Sequence, residues 1–394
     1  MPATMTTVNN ILKELYPGKD IADQLNEEAV GYKRIENTSD GVSTEIGGKY
    51  VTFPIRVRRN SGIGYRNELE ALPAAGQQGY ASVRIGLTYG YGRVRMSGPT
   101  MELAATKPQA FANALTKEVS GVRDDLLKDT NRIFYGDGTG TMAVLTTAPA
   151  AALTFTVASI QYLNVGDVID IFTLPATNKA TGRTITAIND ATNVVTVDVA
   201  VTAAISDVVV RTGNLSREPQ GLSSIVAAAG LLYNVDPATE NTWKSIVDAT
   251  GGALSEGNMI KNFDNVRTRG GGRPTVIVAD LGTRRAYFNL LTQQRRYVNQ
   301  QKFDGGLTGL AFNYGVEIPM VDDVDAPPQT LHGLGEGNFK IYRDSPWHWS
   351  QHDGSDIWKW VDGFDAYEAL LVQYWQLGID RRNSHFKMTG ITAG

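Results

Sequence analysis

Lys49 to Ser97 reads KYVTFPIRVRRNSGIGYRNELEALPAAGQQGYASVRIGLTYGYGRVRMS, and the alternation inside it decides the fold. On the inbound arm Val51, Phe53, Ile55 and Val57 fall on one side of an extended chain, and Thr52, Arg56 and Arg58 on the other. On the return arm Val83, Ile85, Leu87 and Tyr89 alternate with Arg84, Gly86 and Thr88. Between the arms lies a tip rich in Gly, Ala, Pro and Gln, running from Asn60-Ser61-Gly62 to Gly79 and holding Arg66, Glu68 and Glu70. An isolated two-stranded ribbon of this length is marginal in water. The pattern therefore predicts an extended excursion over 49–97 that lies on another subunit.

The rest of the chain is long enough to build a body behind that ribbon. With 394 residues, 42% of them hydrophobic, it can bury a substantial core in two or three domains. A net charge of -4 gives no global electrostatic case for gripping DNA, although a surface that encloses nucleic acid without gripping it is permitted. There are no cysteines, so packing and association must supply the stability that disulfides or thiolate metal sites would. The first ten residues lack the features of a secretion signal, and no run approaches the roughly 18 apolar residues of a membrane span. The expectation is a soluble protein made without export.

Outward from the ribbon, Val8 to Val30 reads as a short helix on Val8, Ile11, Leu12 and Leu15, a Pro17-Gly18 stop, and a second amphipathic piece. Glu102 to Tyr135 carries the longest helical pattern, with Phe111, Leu115, Val119, Val122, Leu126 and Ile133 on one face and Pro108 suited to a first turn. The linker Thr146 to Ala152 gives way to short strands at 154–157, 165–172, 183–188, 194–199 and 208–212. They predict an inserted β-barrel or β-sandwich whose flanks, Gly140 and Leu215, lie close together. From Arg217 the pattern is mixed: strand-like to Tyr233, helical over 242–249, 257–269 and 283–297, and a buried strand at 275–279. An extended stretch over 315–321 leads into the acidic turn Asp322-Asp323-Val324-Asp325. The final stretch, 337–394, is strand-rich and holds every tryptophan except Trp243, with Trp347, Trp349, Trp358, Trp360 and Trp375 read as core and interface anchors.

Three groups of residues, taken in this order, carry a resemblance. They are Tyr50-Val51-Thr52-Phe53-Pro54-Ile55 with Arg66-Asn67-Glu68 in the ribbon, Asn131 to Gly140 at the helix end, and Arg381-Arg382-Asn383 followed by Phe386 to Ile391. Their succession resembles the major capsid protein family of tailed bacteriophages, the Hong Kong 97 type, over essentially the whole chain except the insert. The resemblance implies an α+β fold with an N-terminal arm (1–46), an extended hairpin called the E-loop (47–98) and a peripheral domain with a long spine helix (99–145). A small all-β insert (146–215), a peripheral-to-axial connection (216–240), an axial domain (241–336) and a return to the peripheral domain (337–394) would follow. It also implies a virion shell protein, made in the host cytoplasm, that self-assembles as pentamers and hexamers into an icosahedral container for double-stranded DNA. No enzymatic activity, cofactor, metal or membrane belongs to that reading. An encapsulin-like bacterial compartment is the alternative within the same fold.

Two departures from the family pattern sharpen the expectation. Some members weld their shells through an E-loop lysine, and here no lysine lies between Tyr50 and Thr106, so the shell is expected to be held without covalent links. Only about forty residues precede the ribbon, which leaves out a fused scaffolding region and points to a separate scaffolding protein, with a portal as a further partner. The insert would either decorate and steady the outer surface or serve as an accessory fold.

Within this frame Arg56, Arg58, Arg59, Arg66, Glu68, Glu70 and Arg84 are the expected intersubunit contacts, since arginine pairs bidentately with carboxylates. Arg93 and Arg95 extend the same stripe. A solvated edge guarded against aggregation and a DNA-binding stripe stay open as alternatives. Other chemistry is thin. His348 and His352 sit in an aromatic strand pattern, and Asp322, Asp323 and Asp325 could hold a divalent cation or simply form an acidic turn. Gly136-Asp137-Gly138-Thr139-Gly140-Thr141 lacks the Gly-Lys-Ser/Thr ending of a phosphate loop and follows a helix. A nucleotide-dependent enzyme built on Thr275 to Tyr297 is the rival from another class.

Overall fold

Strand Ala366–Ile379 organises the larger of two compact units, which comprises Met1–Tyr135 with Ile225–Gly394. The computed structural model describes residues 29–38, 42–43, 50–106, 108–294, 311–312, 316–351 and 357–394. The predicted helix from Val8 therefore lies outside the described residues, as does His352. Along one edge the long strand pairs antiparallel with Thr88–Ser97, from Ala366↔Ser97 to Trp375↔Thr88. Along the other it pairs with Phe339–Arg343, His348–Trp349 and Lys359–Trp360.

One face of this sheet, including Gly92, Val94, Met96, Ala369 and Leu371, is buried. Helix Pro108–Tyr135 crosses it, and at about 1.5 Å per residue it is long enough to span the unit. The crossing point requires glycine, because a Cβ at Gly92 would fall on Leu126 and Val122. Those two residues were expected on the apolar helix face.

Part of the expected arm is docked on this unit. Helix Val30–Thr38 buries Tyr32 and Ile35, one turn apart, and Tyr32 meets Trp375 edge to face at 5.5 Å. Arg34 pairs with Glu336 at 2.6 Å, and Arg343 pairs with Glu36.

A five-stranded sheet carries strands in the order Ile246–Asp248, Phe386–Thr389, Thr330–Leu334, Val276–Ala279, Met320–Asp322. Its core joins Ile277, Leu331, Phe386 and Met388 to Met259, Phe263 and Val266 of helix Glu256–Gly270. Ser255 caps that helix by accepting from Asn258 N–H, and Gly271 ends it in the left-handed conformation at φ 60°. Two expectations fail here. The helix predicted over 242–249 is instead strand Ile246–Asp248, drawn into parallel pairing with Phe386–Met388. The strand-like stretch to Tyr233 is a short helix, Leu222–Ile225, followed by turns. In the first case a distant partner, invisible in local spacing, selects the conformation.

The smaller unit is Gly136–Ser224, which begins before and ends after the expected 146–215. Its strands run Thr141–Val144, Val208–Arg211, Val168–Thr173, Thr177–Asn189, Val194–Val201, Ala152–Thr156 around a single sheet. The first and last join through the Leu145↔Val157 bridge, with Thr146 N–H donating to Thr156 O at 2.9 Å, so the sheet closes into a barrel. Phe155, Ile169, Ile171, Ile185, Val195, Val197 and Val209 fill it. Buried Asp170 accepts from Gly182 N–H, Gly213 N–H and the Thr212 hydroxyl, which satisfies its charge within the unit. Ser216 N–H donates to Thr139 O at 2.8 Å and ties the two flanks together.

Candidate assembly surface

The ribbon pairs Tyr50–Arg58 with Gly79–Gly86, from Tyr50↔Gly86 to Arg58↔Gly79. Val57, Val83 and Ile85 are buried on the predicted apolar face. Part of the support for the paired strands, expected from a sister molecule, comes from their own chain. Arg84 N–H donates to Tyr233 O at 3.0 Å, Thr242 Oγ1 donates to Val57 O at 3.3 Å, and Arg58 reaches Glu240 at 3.4 Å. The paired strands thus lean on their own chain.

The excursion is also shorter than 49–97. Thr88–Ser97 leaves the ribbon and enters the central sheet, where Arg93 Nε donates to Glu368 at 2.9 Å and Arg95 lies 4.7 Å over the Phe364 ring. Period-two alternation runs unbroken through Leu87, so it fixes faces without showing where a strand changes partner.

Beyond Arg58 and before Gly79 the chain forms a distinct tip. Gly62 and Gly76 bring the two backbones together, and a Cβ on Gly62 would lie 2.6 Å from Gly76 N. Asn60 Oδ1 accepts from Gly62 N–H at 2.7 Å and braces the crossing. Further out, Arg66 donates to Ala71 O at 3.0 Å and Tyr65 O at 2.9 Å. Glu70 accepts from Asn67 N–H at 3.0 Å and from Asn67 Nδ2 at 2.9 Å, and these donors hold its carboxyl below the usual range.

Inside this frame Ile63, Tyr65, Leu69 and Leu72 are 82, 99, 101 and 86% exposed. Leu69 holds a left-handed φ of 65°, disfavoured for a branched side chain. The tip is a preshaped turn that presents four large apolar groups to solvent.

The sequence-predicted residues separate into three behaviours. Arg66 and Glu70 shape the tip, and Arg84 packs over Tyr50 at 4.9 Å while Arg58 takes its loose pair with Glu240. Arg56, Arg59 and Glu68 are exposed and make no hydrogen bond or ion pair among the described residues. The four apolar tip residues were missed, because single hydrophobic residues in a loop are ordinary in sequence. Only their joint exposure marks them.

The remaining candidates have protein partners. Asp323 accepts from Gly31 N–H at 2.7 Å, Asn131 Nδ2 at 3.1 Å and Tyr135 OH at 3.0 Å. Asp325 accepts from Asn131 at 2.6 Å and Lys128 at 2.8 Å, and Asp322 pairs with Arg284 at 2.6 Å. Asp323 and Asp325 tie the docked helix and the long helix to the edge of the five-stranded sheet, and Asp322 ties helix Leu281–Gln294 to it. His348 Nδ1 lies 2.8 Å from Ser345 Oγ on the surface. At the start of helix Leu281–Gln294, Asp280 accepts from Gly282 and Thr283 N–H, so a carboxylate holds the place a phosphate would need.

A sheet crossed by one long helix, a mixed sheet flanked by helices, and a two-stranded ribbon with a protruding tip together define a single fold class. The capsid asymmetric unit of cyanophage A-1(L) has this fold, with a TM-score of 0.55 and 14% identity over 96% of this chain and 97% of that one. The native GTA particle capsid aligns at a TM-score of 0.49 and 10% identity, covering 97% of this chain and 96% of that one. The holo-encapsulin complex of Synechococcus elongatus aligns at 0.49 and 8%, covering 96% and 93%. Likeness at these identities shows the fold alone, and the last two scores, below one half, carry no argument. No family model matches the sequence, and no curated protein matches it.

Proposed function

We propose that this chain is the major capsid protein of a tailed bacteriophage, assembling as pentamers and hexamers into an icosahedral shell around double-stranded DNA. In this reading the ribbon is the E-loop, the helix Pro108–Tyr135 is the spine of the peripheral domain, and the five-stranded sheet is the axial domain. The observation that carries it is the tip. A free monomer gains nothing from four solvent-exposed apolar side chains held in a defined turn, whereas a neighbour that covers them gains affinity at little ordering cost.

Magnitudes favour the apolar groups over the charges as the source of that affinity. Full burial of a large apolar side chain contributes about 1.5–3 kcal/mol, whereas an exposed ion pair contributes about 0–1 kcal/mol. Ile63, Tyr65, Leu69 and Leu72 therefore supply strength, while Arg56, Arg59 and Glu68 set register and choice of neighbour. A closed shell repeats each modest contact many times, so assembly is cooperative without any single strong bond. The absence of lysine from 50 to 106 suits a shell without welded E-loops. A separate scaffolding protein and a portal complete the assembly, and the barrel steadies or decorates the exterior.

Electron microscopy of the purified protein is the test. Closed hollow particles are expected, with nuclease-protected DNA inside those recovered from infected cells. A permanently monomeric protein that binds ATP or NAD saturably would overturn the reading. Particles filled with a protein cargo would replace it by a bacterial compartment.

A further inference from the structure

The backbone register shows which edge of the ribbon is open to another strand. Arg84 gives its N–H to Tyr233 O, outside the ribbon, so Arg84 and its partner Thr52 point their backbone groups away from each other. The pairing runs without a shift from Tyr50 to Arg56, so Pro54↔Ser82 and Arg56↔Tyr80 do the same. On Tyr50–Arg58 this outward row is interrupted at Pro54, which has no N–H. On Gly79–Gly86 the row is intact: Tyr80 and Ser82 are exposed, and no described residue accepts from their amides.

Among the described residues, the chain makes a single backbone bond to that intact edge, as the first bond of a third strand would. Tyr233 sits opposite Arg84 at the corner of a two-residue turn closed by Leu232↔Val235, with Tyr233 and Asn234 at φ 50° and 69°. Past Tyr233 no described residue bonds to the backbone of Ser82 or Tyr80. Charge then narrows the occupant. The outward side chains here include Arg56 and Arg84, and neither ribbon strand contains an Asp or Glu.

We propose that the Tyr80–Ser82 edge receives an extended segment of a second copy of this chain, with carboxylates at alternate positions, as a third strand of the ribbon. The inference rests on the self-assembly reading, which brings a neighbour against every ribbon. The Pro54 edge takes no strand.

Amide hydrogen exchange on free subunits and on assembled particles tests it. The Tyr80 and Ser82 amides should slow by about a hundredfold on assembly, while those of Thr52 and Arg56 keep their free-subunit rates. Ser82→Pro copies Pro54 onto the open edge without touching a bond inside the ribbon, and should raise the concentration needed for assembly roughly fivefold. Thr52→Pro, on the edge already interrupted, should leave it unchanged. Particles in which Tyr80 and Ser82 exchange as fast as in the free subunit overturn this inference alone, as does protection at Thr52 instead. A protein that never forms particles overturns both it and the self-assembly reading. If Ser82→Pro does not fold, exchange on the unaltered chain still decides.

Discussion

The inserted barrel and the ribbon are built from the same antiparallel strands and end in opposite states. In the barrel every strand has two neighbours, the closing bridge leaves no free edge, and the apolar side chains point inward. In the ribbon each strand has one strand neighbour, and the tip beyond it turns four large apolar residues outward. Both contain residues of ordinary β-propensity, so composition does not separate them. What separates them is completeness: one unit covers its own apolar surface, and the other leaves part of it exposed, which the proposed assembly would cover.

The largest effect expected sets the pH at which that contrast can be examined. His332 and His385 are fully buried, and burial pulls both down to about 3. Unfolded, they titrate near 6.5. The folded state therefore binds fewer protons between those values, so stability is full above about pH 6.5 and is lost as pH falls toward about 3. Near pH 4.5 the loss is on the order of 2–3 kcal/mol for each histidine. Among the described residues neither ring nitrogen of His332 has a hydrogen-bond partner, so His332→Leu should remove its share of the acid loss. Urea unfolding at pH 7 and pH 4.5 measures this, and an unaltered difference between the two would refute it.

At neutral pH the contrast itself can be attacked from either side. Ile171→Ala hollows the barrel core and should cost about 2–4 kcal/mol, read as an earlier unfolding transition of the insert. If the barrel tolerates it without loss, the unit is not self-sufficient. The double change Leu69→Ser and Leu72→Ser should move subunit stability by less than about 0.5 kcal/mol, yet raise the assembly threshold by about tenfold or more. Equal damage to folding and assembly would show that the tip belongs to the monomer's own core. The smallest effect is reserved for charge: Arg59→Gln should weaken assembly about two- to fivefold, and less at high salt. An effect indifferent to salt would remove Arg59 from any ionic contact.

Much of this molecule was legible as local pattern. The alternation over Val51–Val57 and Val83–Ile85, the apolar face on Val122 and Leu126, and five of the six barrel strands follow from spacing that the finished structure retains. The strand Thr141–Val144 was missed because it is short and follows a glycine-rich turn. The site was less legible than the fold. Arg66 and Glu70 look like exposed partners for a neighbour, yet each folds back on the tip through a bond of short sequence separation. Asp323 and Asp325 look like an acidic surface turn, yet they are buried against Asn131 and Lys128 from the long helix.

The sequence by itself determined where the chain extends, where it coils, and which face of each element is apolar. Those properties follow from side-chain order at periods of two and 3.6. The tertiary structure alone decided partners: that Thr88–Ser97 joins Ala366–Ile379, that Ile246–Asp248 becomes a strand, and that the tip is left uncovered. Pairing joins residues hundreds of positions apart, and the energy that selects one partner over another lies in burial that no local window contains.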